Sequence, residues 1–110
     1  MYGYSMVITT CSDKETARRL AGMLLEARLA ACVQMLPVES MYVWQGSVCN
    51  DGETALLIKS KAGLFDKIAA AIKENHAYEI PEIIQVPITD GLPEYLKWID
   101  ESTTIACSDI

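Results

Sequence analysis

The residues most able to do chemistry stand together at His76-Ala77-Tyr78-Glu79-Ile80-Pro81-Glu82, which hold the chain's only histidine, a tyrosine, two carboxylates and a stiffening proline. Imidazole titrates nearest neutral pH and is the commonest protein ligand for transition metals. His76 and Glu82 can converge if the segment turns, and Pro81 restricts how it turns. His76 equally fits a helix C-terminus, where a positive ring complements the dipole. Glu82 directly precedes the apolar run Ile83-Ile84-Gln85-Val86, so it suits a cap or a lysine partner as well as a ligand. Tyr78 and Glu79 carry the same two readings, packing or pairing against chemistry.

Several elements must position these groups. Met6 to Thr10 reads as a buried strand. Ser12 and Glu15 then have capping-box spacing. Ala17, Leu20, Ala21, Leu24 and Leu25 recur at helical intervals, which predicts a helix to about Arg28. Ala31 to Leu36 is a second strand, stopped or bent by Pro37, and Ser40 to Val48 continues extended. Asn50-Asp51-Gly52 is a hairpin signal, with Thr54 to Lys59 as the returning strand. Leu64, Phe65, Ile68 and Ile72 mark a second helix. Ile83 to Ile88 is a further strand, and Pro87 argues for an edge. Pro93 suits the first turn of a last helix, which Tyr95, Leu96, Trp98 and Ile99 give an apolar side. From Ser102 the tail reads as loose or as a short edge strand.

The order β-α-β-β-α-β plus a terminal helix predicts an α+β, ferredoxin-like sheet with both main helices on one face. The opposite face is left bare. Long, aromatic strands and open edges of this kind point to an oligomer.

The 110 residues fit one domain, 1–110, able to bury roughly 65% of its unfolded surface. With 51% hydrophobic and 22% charged residues, disorder is excluded. A net charge of -6 argues against nucleic acid as a partner, because phosphate binding needs clustered Lys and Arg. No apolar run approaches the ~18 residues of a membrane span. The start lacks a basic, then apolar, signal sequence, so a cytoplasmic location is expected. Cys11, Cys32, Cys49 and Cys107 form no C-x-x-C pair and read as free thiols in a reducing compartment. Cys32 reads as buried packing. The dispersed methionines read as core. An enzyme would use His76 with Glu79 or Glu82 as an acid–base set, and no nucleophile elbow, P-loop or dinucleotide fingerprint supports that reading.

Five motifs in register carry a family resemblance: Leu29-Ala30-Ala31-Cys32-Val33, Ser40-Met41-Tyr42-Val43-Trp44-Gln45-Gly46, Leu57-Ile58-Lys59-Ser60, His76 through Ile83, and Tyr95-Leu96-Lys97-Trp98-Ile99. From about Met6 to Ser102 the chain resembles the CutA divalent-cation tolerance family. The resemblance implies a homotrimer built like the PII signalling proteins, a link to copper and other divalent metals, and no enzymatic reaction. It makes His76 and Glu82 the expected metal ligands at an inter-subunit cleft, weakly holding Cu(II) or another divalent cation. Lys59 is either an edge charge or a partner for Glu82 or Glu79 in that cleft. Trp44 is either interface core or a ligand platform. Three positions depart from the family pattern. Ala77 replaces the usual Pro, Gln45 the usual Glu, and Thr9 a metal-binding cysteine found in some relatives; Cys11, two residues on, shares the face of Thr9 but sits roughly 6–7 Å along the strand from that place. The second reading is a PII-like small-molecule sensor or docking scaffold without a physiological metal.

Overall fold

Alternation builds the first strand. The computed structural model describes residues 3–105, and β1, Tyr4–Cys11, buries Ser5, Val7, Thr9 and Cys11 on one side. Helix α1 follows at Lys14–Glu26, capped by Asp13 rather than by Ser12. The Asp13 backbone is extended, and its carboxylate accepts from the Thr16 N–H at 2.7 Å. A charged acceptor at the positive end of the helix outcompetes the neutral Ser12 hydroxyl. The helix stops at Glu26, short of Arg28, whose φ of 58° is left-handed. Leu29 then donates back to the Leu24 carbonyl at 3.0 Å, closing the end.

Strand β2, Cys32–Trp44, runs unbroken through Pro37, which stands opposite Thr54 on β3, Ser47–Lys61. The sheet order β2-β3-β1-β4 explains this, because β2 is an edge and needs no donor on its open side. The hairpin turn is Gln45-Gly46, at φ 50° and 81°, not Asn50-Asp51-Gly52. Two positive φ values in a two-residue loop match strand twist, and the Asn50 segment stays inside β3 opposite Glu39 to Met41. Strand β4, Ile84–Ile88, is the other edge, as Pro87 predicts. All pairings are antiparallel.

After a short 3-10 turn at Ala62–Leu64, α2 runs Phe65–Glu74. Leu20 and Leu24 of α1, and Leu64, Ile68 and Ile72, pack on Val7, Cys11, Leu56 and Ile58 of the sheet, each at most 2% exposed. Each large apolar side chain buried this way contributes roughly 1.5–3 kcal/mol. This is the predicted ferredoxin-like sandwich.

The opposite face is partly covered by α3, Pro93–Ser102. Lys59 Nζ lies 5.6 Å from the Tyr95 ring centroid. The chain just past α3 is held: Thr104 donates to the Arg28 carbonyl at 2.8 Å, and Lys61 Nζ donates to the Thr104 carbonyl at 3.0 Å and faces Asp100 at 3.7 Å, while the rest of the tail, from residue 106, lies outside the described residues. Leu36, Ile84 and Val86 remain exposed on this face. Cys32 shares it, opposite Lys59, and is half-buried rather than core. Met35 and Met41 are likewise exposed rather than core. Cys107 lies outside the described residues.

β1 pairs with β3 only as far as Thr54, so residues 38–53 form a two-stranded arm beyond the shared sheet. The arm stretches the molecule to 45 × 25 × 21 Å. It carries exposed Met41, Tyr42, Val43, Trp44 and Val48.

Candidate functional site

The site begins where α2 ends. Asn75 closes the helix by donating from its N–H to the Ile72 carbonyl at 3.0 Å and from Nδ2 to the Ala71 carbonyl at 2.8 Å. The chain then turns toward the end of β1, and His76 pins it there. His76 Nε2 lies 2.5 Å from the Thr10 carbonyl oxygen, and Nδ1 lies 3.1 Å from the Tyr78 backbone nitrogen. A carbonyl only accepts and an N–H only donates. The proton therefore sits on Nε2, and Nδ1 is the acceptor. Both ring nitrogens are engaged within the chain, so His76 is a strut between β1 and the 76–82 segment in this arrangement.

Tyr78 is the next link. Its ring lies 4.7 Å from that of His76, and its hydroxyl donates to Glu53 Oε2 at 2.7 Å. Burial and then the Glu53 carboxylate raise its pKa well above the ordinary phenol range. On the arm, the Tyr42 hydroxyl donates to Asp51, which pushes its pKa up to about 12. Asn50 Nδ2 donates to Glu39 Oε2 at 3.1 Å. Alternating residues of the arm thus lock its two strands with carboxylates kept as acceptors.

These elements enclose a cleft of about 590 Å³ at the base of the arm. Glu39, Glu53, Glu79 and Glu82 contribute carboxylates to its lining; Thr10, Ser40, Tyr42 and Tyr78 contribute hydroxyls; Met41, Trp44 and Ile80 contribute apolar surface. No Lys or Arg among the described residues lines it. Among the described residues, no group of three or more His, Cys, Asp or Glu side chains is close enough to hold a metal ion.

Of the sequence candidates, Trp44, Tyr78, Glu79 and Glu82 meet in this cleft. His76 supports it from behind. Thr9 and Cys11 lie on the helix-covered face of β1, at 0% and 1% exposure, and the Cys11 thiol is held protonated by burial and by Asp13 and Glu53. The two-residue offset does place them on one face, but that face is the core. Lys59 pairs with neither Glu79 nor Glu82 and instead lies against Tyr95. Thr10, Tyr42, Glu39 and Glu53 were missed by sequence reasoning. Strand alternation carries the signal for Thr10, since burying Thr9 and Cys11 turns it to the opposite face.

The chain matches the family profile described as "CutA1 divalent ion tolerance protein" over residues 5–102. It is 43% identical over 99 residues to the "Divalent-cation tolerance protein CutA" of Thermus thermophilus, covering 89% of this chain and 96% of that one. It is 42% identical over 99 residues to "Protein CutA 1, chloroplastic" of Oryza sativa, covering 89% of this chain but only 56% of that protein. This chain thus spans little more than half of such plant relatives, 54% for that of Arabidopsis thaliana. The solved structure of the Thermus thermophilus protein superposes with a TM-score of 0.89 at 42% identity, over 92% of this chain and 99% of that one. That of the "Periplasmic divalent cation tolerance protein CutA" from Archaeoglobus fulgidus gives 0.89 at 36%, over 90% and 97%.

Proposed function

The chain belongs to the CutA1 divalent ion tolerance family, and from that premise we propose that it is a homotrimeric, non-catalytic divalent-cation tolerance protein that takes its cations at clefts between subunits. The observation that carries this reading is the cleft at the arm base, with four carboxylates and no Lys or Arg in its lining. Carboxylate oxygens suit divalent cations generally, and a nitrogen donor shifts preference toward Cu(II). Glu82 is the first oxygen donor. His76 joins only by giving up its hydrogen bond from Tyr78, and that exchange keeps binding weak. Too few donors converge within one chain, so water or a second copy completes the shell.

Assembly is supported by the same geometry. The apolar face at Leu36, Ile84 and Val86 and the arm at Met41, Val43 and Val48 are exposed in the single chain. A lone two-stranded ribbon is marginal in water, and a neighbouring copy gives it a surface to lie on. Free thiols at Cys11, Cys32 and Cys49 suit a reducing, cytoplasmic setting. No helix among the described residues is long and apolar enough to cross a membrane.

Calorimetry of the assembled protein with Cu(II), Zn(II) and Mg(II) tests the cation reading. Saturable binding that weakens in Glu82→Gln supports it; identical isotherms in wild type and Glu82→Gln would remove Glu82 from the site. The second reading, a PII-like small-molecule sensor or docking scaffold, is favoured by the cleft volume of about 590 Å³, which matches small-molecule sites better than a single ion.

A further inference from the structure

The floor of the cleft holds a group that its walls leave unused. Thr10 is 8% exposed, lies on the cleft side of β1 and lines the cavity. Its backbone carbonyl is taken by His76, whereas its hydroxyl has no hydrogen-bond partner among the described residues. A reachable hydroxyl on a nearly buried residue, without a protein partner, is an open acceptor and donor for whatever occupies the cavity. Around it stand three aromatic residues, Tyr42, Trp44 and Tyr78, together with the exposed carboxylates Glu79 and Glu82 at the rim.

We propose that this cleft binds a short aliphatic di- or polyammonium ion, with one ammonium at the Thr10 hydroxyl among the aromatic rings and another at the Glu79 and Glu82 rim. The assignment builds on the small-molecule reading of the cleft and names its ligand class. Anionic ligands are disfavoured because no Lys or Arg is present to receive them. A bare inorganic cation held by one chain alone needs oxygens clustered at one point, which the described residues lack. Here the carboxylates border a volume that also offers apolar surface from Met41 and Ile80. An alkyl chain with charged ends satisfies both kinds of wall. Alkylammonium groups are attracted to aromatic faces, most strongly to indole, and more so when partly desolvated. Tyr78 and Tyr42 donate their hydroxyls to Glu53 and Asp51, which holds the aromatic walls in place before a ligand arrives.

The test uses Trp98→Phe, which leaves Trp44 as the chain's one tryptophan, with spermidine as the probe at fixed ionic strength. A saturable change in Trp44 fluorescence is expected. Calorimetry of the wild type, which needs no substitution, should give the same affinity. Glu79→Gln combined with Glu82→Gln should weaken binding roughly tenfold or more, or ~1.4 kcal/mol. Thr10→Val and Trp44→Leu should each weaken it severalfold. Mg(II) at equal ionic strength should displace spermidine poorly. Equal displacement by Mg(II) would show that the cleft reads charge alone and would overturn the assignment. Binding of ATP without binding of spermidine would keep a small-molecule sensor but overturn its ligand class. Binding of neither would sink both.

Discussion

Replacing Thr9 by Val separates the two places this residue can occupy. Thr9 is 0% exposed, and its Oγ1 has no hydrogen-bond partner among the described residues. It sits between Val7 and Cys11 on the face of β1 that meets the helices. A hydroxyl buried without a partner costs about 1–3 kcal/mol. Valine keeps the branched shape, removes that cost and adds apolar contact. Thr9→Val should therefore stabilise the protein by ~1–2 kcal/mol, or roughly 4–8 °C in Tm per kcal/mol for a domain near this size. Denaturant and thermal melts at one fixed protomer concentration measure it, because assembly makes Tm concentration-dependent. Cation titrations of the same variant should match the wild type. A Tm equal to or below wild type, or a loss of cation binding, would refute the placement of Thr9 in the core. Thr9→Cys should give a thiol that is slow to react with thiol reagents in the folded protein.

Light scattering should give a mass near three times 12.1 kDa, and Val43→Asp, at a position 71% exposed in the single chain, should reduce or abolish assembly, because an unpaired charge buried at an interface costs several kcal/mol. Tyr42 is held protonated to about 12, and Tyr78 is shifted in the same direction. Above the ordinary phenol pKa of ~10 the folded state thus retains protons that the unfolded chain loses, so stability is complete below that pH and should fall as pH rises through about 12. Denaturation across that range checks the fall, and tyrosinate absorbance of Asp51→Asn should show one tyrosine ionising earlier. Gln45 pairs a side chain with a φ of 50°, so Gln45→Gly should stabilise the hairpin by up to ~1 kcal/mol in denaturant melts, whereas Gly46→Ala, at φ 81°, should destabilise it. His76→Ala leaves the Thr10 carbonyl and the Tyr78 N–H without their partner and should cost ~1–3 kcal/mol in the same melts. An unchanged melting curve would show that His76 is no strut.

The element order and the helix-covered core were legible because they rest on periodicity, which survives in any context, and the edge position of β4 because Pro87 has no N–H to give a neighbouring strand. The errors fall where two local signals compete. Asn50-Asp51-Gly52 is the stronger turn composition, yet Gln45-Gly46 wins because the register of Val38 to Trp44 against Ser47 to Glu53 allows only that loop. Pro37 looks like a stop until the sheet order makes β2 an edge. For the site, sequence proximity found Tyr78, Glu79 and Glu82 because they lie on one segment. Glu53, Tyr42 and Thr10 come from three other stretches of chain and converge only through β-sheet register. Family correspondence singles out Thr9 and passes over Thr10. A single step along a strand exchanges core for cleft, and a family correspondence fixes a position without fixing its face.

The cleft and the arm are one structural problem. Residues 38–53 leave the shared sheet and expose apolar side chains on both of their faces, Met41 and Val43 on one and Tyr42 and Trp44 on the other. Such a ribbon has no core of its own. Its carboxylate–tyrosine pairs fix its shape but supply little burial. The cleft lies where this ribbon meets the 76–82 segment, so one wall of the cleft is only as ordered as the arm. If a second copy covers the arm, assembly and ligand binding share a surface, and each must strengthen the other by linkage. Ligand should then raise the concentration stability of the assembly, and an arm variant such as Val43→Asp, which lines no part of the cleft, should lose binding together with assembly.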